Sequence, residues 1–372
     1  MEKNSLIISE ELRFAKGPYG IAATQEALDY YRQEQPKYCT WDKIKADDKI
    51  AIFFDTNFYL DLYELSLKER KEILDFFNTN KKRIFITAQI EKEFISHRFD
   101  AIRSIRKKMD SLSSIFATKS TELRKCFDKQ SKELNDFVRS SVIKNDMPET
   151  YQVYVKMQQV IEQLRVNETR WEKYQQLEQE LLACLDKERQ KTIITDDLEY
   201  NDDILTAISA SNILPSLSPE EIAFIKNSYD INLQDYNNCK KEQEKKTILS
   251  FPGCGDRKKF EDENRDPYGD YIIYHEMLKF MAIEKRDIVF ITKDTSKSDW
   301  VDSYKKPFIH YIVNSYRYTG KMMFIIPAKN LFRNKGTDDD LERRFVDGDT
   351  EIGNPQQQLS GEQNLLSAES NE

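Results

Sequence analysis

The sequence predicts an α/β protein: a parallel sheet flanked by helices, with a long antiparallel helical hairpin inserted between its second and third core strands. Three observations carry that expectation. Ile50–Phe54, Arg83–Thr87 and Asp287–Thr292 are short, mostly apolar runs, as expected of parallel strands buried on both faces. Helical stretches such as Leu67–Phe77 and Asp270–Ile283 lie between them, and strands alternating with helices build a parallel sheet. From Ile102 to Leu185 the apolar residues instead recur at three- and four-residue steps, the period of packed helices.

The elements follow in chain order. Residues 1–48 form an N-terminal helical extension with one helix, Ala23–Gln33. The sheet-bearing body takes residues 49–98 and 200–335, with weaker strands expected at His310–Val313 and Met322–Ile326. Residues 99–199 make the hairpin. Its first arm carries Ile102, Met109, Leu112, Leu134 and Val138, and its second runs from Pro148 through Met157, Leu177 and Leu185. Each arm is roughly 60 Å long at 1.5 Å per residue. Pro148 suits a first helical turn, with Asn145 or Asp146 near its cap. Ser218-Pro219-Glu220-Glu221 has the serine cap, proline and acids of a helix start. Residues 336–372 have few large apolar side chains, and the composition predicts a disordered acidic tail.

Composition narrows the function. With 39% hydrophobic and 12% aromatic residues in 372, the chain can bury a sizeable core. A charged fraction of 33% and a mean hydropathy of −0.72 indicate long solvated helices beside it. No apolar run reaches membrane-span length and Met1–Leu12 lacks a leader pattern, so a cytoplasmic protein without membrane contact is expected. Five scattered cysteines without a CxxC pair fit reduced thiols better than disulfides or zinc. Only three histidines are present, which leaves carboxylates and hard cations as the better source of chemistry. The net charge of −8 sits entirely in residues 337–372, where ten acids face two arginines. The remainder is neutral and can carry basic stripes for nucleic acid.

The chemistry starts at Asp55, directly after the first strand, where open α/β sheets place their ligands. A turn or helix-cap aspartate is the plainer reading of that residue. Thr56 and Asn57 are placed to support its carboxylate and the following turn. The third strand ends on Thr292-Lys293-Asp294, with Asp299 shortly after, so two strands deliver acids to one sheet edge. Clustered carboxylates raise one another's pKa unless a cation such as Mg2+ or Mn2+ neutralises them. The helix after Arg83–Thr87 can aim Glu93 at the same edge, and Asp270 opens another helix.

Five segments in order, FFDTNFYLDLY, QIEKEF with His97-Arg98, PGCGDRKK, YGDYIIYHEM and ITKDTSKSDW, resemble bacterial PIN-like domain proteins of the larger branch with a helical insertion. The resemblance runs from about Ile50 to Trp300 and skips the hairpin. It implies a fold similar to the 5′ nucleases, with catalytic and metal-binding acids at Asp55, Glu93, Asp270 and Asp294, and Asp299 as a further metal ligand. Asn57 matches the supporting polar residue. Lys293 departs from the pattern, since relatives usually carry a second aspartate there; the change weakens a metal subsite or supplies a phosphate contact. Cys254 stands where an aromatic is more common.

The resemblance further implies phosphodiester hydrolysis with Mg2+ or Mn2+, in which a cation activates water and stabilises the phosphate. RNA is the favoured substrate on family grounds alone, with DNA open, and a bacterial defence or toxin setting is suggested in the same way. Substrate-binding candidates are Arg98, Asp256, Arg257, Lys258, Lys293 and Lys297. The alternative is a catalytically inactive PIN-like scaffold that binds nucleic acid or a protein partner, or self-associates, through the hairpin. A haloacid-dehalogenase-like phosphatase would need a second aspartate at position 57, where Asn57 stands. Gly320-Lys321 lacks the glycine spacing of a P-loop.

Overall fold

Ala51–Phe54 (β1) and Ile288–Thr292 (β4) are buried at every position, so neither face of this part of the sheet meets water. They pair in parallel from Ala51 opposite Ile288 to Phe54 opposite Ile291. Met323–Pro327 (β5) adds to the other side of β4, also in parallel. A parallel bridge between Ile52 and Ile84 carries β1 on to Phe85–Ile86 (β2), which pairs with Asn212–Ile213 (β3). The strand order is therefore β3-β2-β1-β4-β5, with the chain leaving β1 toward β2 on one side while β4 lies on the other. The computed structural model describes residues 21–116, 134–136, 139–164, 171–190, 200–241, 249–255, 266–293, 300–302 and 306–328.

Helices cover the sheet. Thr56–Asp61 (α3) follows β1, and Leu67–Asn80 (α4) starts from a Ser66–Glu69 capping box that satisfies free backbone donors at its first turn. Ala88–Ile102 (α5) leaves β2, capped by the Thr87 hydroxyl. Asp203–Ser209 (α10) and Pro219–Asn238 (α11) follow the insertion, and α11 begins on the expected Ser218–Glu221 capping box with Pro219 in its first turn. Gly269–Glu284 (α12) is buried almost all round, as a helix between sheet and outer layer must be. Its last residue hands over to Lys285, at φ 52°.

Four readings change here. His310–Val313, expected as a strand, lies within the helix Ile309–Thr319 (α13); a short apolar run does not tell strand from buried helix. The N-terminal helices Ile21–Glu34 (α1) and Trp41–Ala46 (α2) are built into the main core. Tyr31 and Tyr38 stand 5.6 and 4.7 Å from Phe324 of β5, and Trp41 stands 4.3 Å from Phe76. The long hairpin is not confirmed: where its second arm is expected, the described residues form two helices, Pro148–Leu164 (α8) and Trp171–Gln190 (α9), packed against each other. The same apolar period runs through both, so the sequence does not mark where the first ends. Asn145 and Asp146 close Ser141–Asp146 (α7) and cap α4 instead of α8: Leu67 N–H donates to the Asp146 carboxylate at 3.1 Å, and the Asn145 amide reaches the Ser66 hydroxyl at 3.3 Å.

Two hydrophobic cores result. The larger surrounds the sheet, with Phe53, Phe54, Tyr59, Phe290 and Trp300 fully enclosed. The second joins Met109 and Leu112 of Ser104–Phe116 (α6) to Leu134, Ile143, Tyr154, Met157, Leu181 and Leu185. Val138 and the tail at 336–372 lie outside the described residues.

Candidate active site

Between β1 and β4 the strand order reverses, and open α/β sheets bind ligands in the crevice beyond the strand ends at such a point. Asp55 spans it. Its Oδ1 accepts the Phe58 amide at 2.6 Å, capping α3; its Oδ2 accepts the Thr292 hydroxyl at 2.6 Å and the Lys293 amide at 2.7 Å. The cap and the sheet-edge carboxylate are therefore one residue in two roles. A backbone bond from Asp55 N–H to the Ile291 carbonyl, 3.0 Å, fixes the same register.

Glu93 joins this edge through the residue next to Asp55. The Thr56 hydroxyl donates to Glu93 Oε2 at 2.6 Å, and the Gln89 amide, one turn earlier on α5, donates to Oε1 at 2.9 Å. Thr56 thus serves Glu93, while Asn57 is exposed. The start of α12 comes against the same carboxylate: a methyl carbon added at Gly269 would lie 2.2 Å from Glu93 Oε1. Only a residue without a side chain lets the helix approach this closely. Asp270 follows, half-buried, and the Pro252–Gly255 loop packs on it, since a side chain at Gly253 would meet Asp270 Cβ at 3.6 Å. Gly253 itself has φ +82°, a left-handed conformation that favours glycine.

One acid escaped the sequence reading. Glu276, two turns beyond Gly269 on α12, is 5% exposed, and its carboxylate accepts the Gln89 backbone N–H at 3.1 Å. Burial pushes its pKa up to about 7, and the negative charge of Glu93 adds to this; the Gln89 amide and Thr87 hydroxyl pull the other way. It lies inside YGDYIIYHEM, but in sequence it reads as the polar edge of an apolar helix. The buried His275 and His310 supply no proton donor at neutral pH. Burial lowers His275 and His310 to about 4 each, and His275 Nδ1 faces the Tyr271 carbonyl at 2.7 Å.

The cationic candidates divide. Arg98 is buried, with its guanidinium 3.0 Å from Asp202, which also accepts the Tyr63 hydroxyl at 2.5 Å. Lys293 pairs through its ammonium with Asp61 on α3, beside the amide that holds Asp55. Asp256, Arg257, Lys258, Asp294, Lys297 and Asp299 lie outside the described residues. Among the described residues no group of three or more His, Cys, Asp or Glu side chains is disposed to hold a metal ion. The donors that do converge are carboxylates and a hydroxyl, the oxygen ligands of hard divalent cations.

These features define a class: a parallel α/β domain whose sheet edge, at its topological switch, carries Asp55, joined through the neighbouring Thr56 to Glu93 of α5. A family profile described as PIN like domain matches residues 51–314, and the chain belongs to that family. Neither the curated proteins nor the solved structures contain a match to it. No helix among the described residues is long and apolar enough to cross a membrane.

Proposed function

We propose that this protein is a metal-dependent nuclease that hydrolyses phosphodiester bonds, with RNA as the preferred polymer on the precedent of its family. The observation that carries the reading is the position of Asp55. Its carboxylate bridges the ends of β1 and β4 at the switch point, and Thr56 ties it to Glu93, against which the Gly269-Asp270 turn is pressed. Asp55, Glu93 and Asp270, with Asp294 next in the chain after Lys293, would hold Mg2+ or Mn2+. A bound cation of this kind lowers the pKa of water and offsets charge on the phosphate.

The chain's own residues supply the rest. Thr292 and the Lys293 amide orient Asp55. Thr56 and Gln89 orient Glu93. The Lys293–Asp61 pair holds the residue after β4 against α3.

The test is cleavage of generic RNA and DNA with added Mg2+ or Mn2+, comparing wild type with Asp55→Asn. Asparagine also caps helices well, so the substitution keeps the start of α3 while removing the charge. Wild type should cut and the variant should lose about a hundredfold or more of its rate, the scale on which single electrostatic groups act in active sites. Equal cleavage by both proteins, or none by wild type with either metal, would overturn the proposal.

A further inference from the structure

The exposed face of α5 carries an arrangement that the acids do not use. Ile95 and Phe99 are 48% and 43% exposed, and their spacing of four places one above the other on the helix. Phe99 is backed by charge: the guanidinium carbon of Arg98 lies 4.2 Å from its ring centre and that of Arg103 lies 5.7 Å away. Arg98 is anchored by Asp202, so the ring rests on a fixed cation. Lys92 shares the face with Phe99 and Arg103, at helical steps of seven and four. Its ammonium lies 3.7 Å from Asp266, just ahead of the Gly269-Asp270 turn. The stripe therefore begins beside the acidic edge and leads away from it. Phe99 is about 9 Å further along the helix axis than Glu93, at 1.5 Å per residue.

Charge selects the occupant. From Lys92 to Lys108 there are six lysines and arginines against two acids, Glu93 and Asp100, in a chain whose total is −8. An exposed ring rimmed by guanidinium groups on a cationic helix stacks nucleobases, and a polyanionic strand follows the charge. We propose that Phe99, backed by Arg98 and rimmed by Arg103, is a base-stacking subsite for an unpaired nucleotide, with Ile95 extending the platform toward the acids. The subsite deepens the nuclease reading and rests on it for the direction in which the strand runs. A duplex keeps its base faces in its own stack and cannot use the ring. Both RNA and DNA bases present the face that Phe99 takes.

The full chain is titrated, in EDTA, against fluorescent single-stranded uridine and deoxythymidine oligonucleotides and a duplex of the same length. Fluorescence anisotropy separates binding from cleavage. Phe99→Ala and Phe99→Leu should each weaken single-strand binding by about five- to 150-fold, the range for loss of one base stack. Phe99→Trp and Phe99→Tyr should retain it, and duplex binding should be the same in all. Equal loss with RNA and DNA strands supports a shared base-stacking site. Wild-type affinity in Phe99→Leu would overturn it in favour of an apolar surface for a protein partner, and so would the absence of single-strand binding by wild type. If Phe99→Ala loses binding while Asp55→Asn cuts as fast as wild type, the subsite stands and the acid centre falls.

Discussion

At the scale of single residues, Asp55 and Glu276 each meet two obligations. Asp55 caps α3 with one oxygen and clamps the end of β4 with the other. The plain reading of that aspartate as a helix cap is realised, and the same carboxylate also meets the end of β4. Glu276 has a comparable double role, accepting the backbone amide of Gln89 in the first turn of α5 while buried near Glu93. Its stability effect has a defined sign. The unfolded carboxyl titrates at 4.5 and the folded one at about 7, so between those values the folded state keeps a proton that the unfolded state gives up. Its contribution is complete below 4.5 and is lost as pH rises through about 7. Glu276→Gln keeps an acceptor for the Gln89 amide and does not titrate. Denaturant unfolding across this window should show the variant gaining about 1–3 kcal/mol on wild type as pH rises. Parallel pH profiles for the two proteins would count against the buried acid.

At the scale of elements, the decisive contact is between α5 and α12. Gln89 and Glu93 lie one turn apart on α5; Gly269 and Glu276 lie two turns apart on α12. The two faces meet as Glu276 to Gln89, Gln89 to Glu93, and Gly269 against Glu93. Gly269→Ala tests this packing. The atom in its way is the end of a flexible side chain, so Glu93 swings aside and the fold survives. Alanine is even the better helix former, by about 1 kcal/mol. The expected result is an unchanged or slightly raised unfolding midpoint with about a hundredfold loss of nuclease rate, the effect of displacing a catalytic group by about 1 Å. A variant as active as wild type would show that Glu93 need not sit there. The strands β1 and β4, helix α12 and the α11 cap were legible in the sequence, because continuous burial and capping chemistry leave local marks. Helix α13 was not, because its apolar run has no period that separates it from a strand over so few residues.

At the scale of the whole molecule, the chain has two hydrophobic cores, one around the sheet and one within the helical insertion. The insertion is latched to the body where Asp146 and Asn145 meet the start of α4, and where the Lys108 ammonium lies 3.2 Å from Glu64. Leu181 is fully buried in the second core, so Leu181→Ala should cost about 2–5 kcal/mol there. Hydrogen exchange should accelerate in α8 and α9 while the amides of β4 remain protected; uniform acceleration would mean that the cores unfold as one.

The sequence by itself determined the class of fold, the two strand ends bearing Asp55 and Thr292-Lys293, and the family resemblance that pointed to Glu93 and Asp270. Those features are local, or lie in order along the chain. Only the tertiary structure decided that Thr56 serves Glu93, that Gly269 leaves the space Glu93 occupies, that Glu276 is held at the start of α5, and that Arg98 is tied to Asp202. Each of these depends on which faces of distant helices meet, and hydrophobic periodicity specifies that a face is buried without specifying its partner.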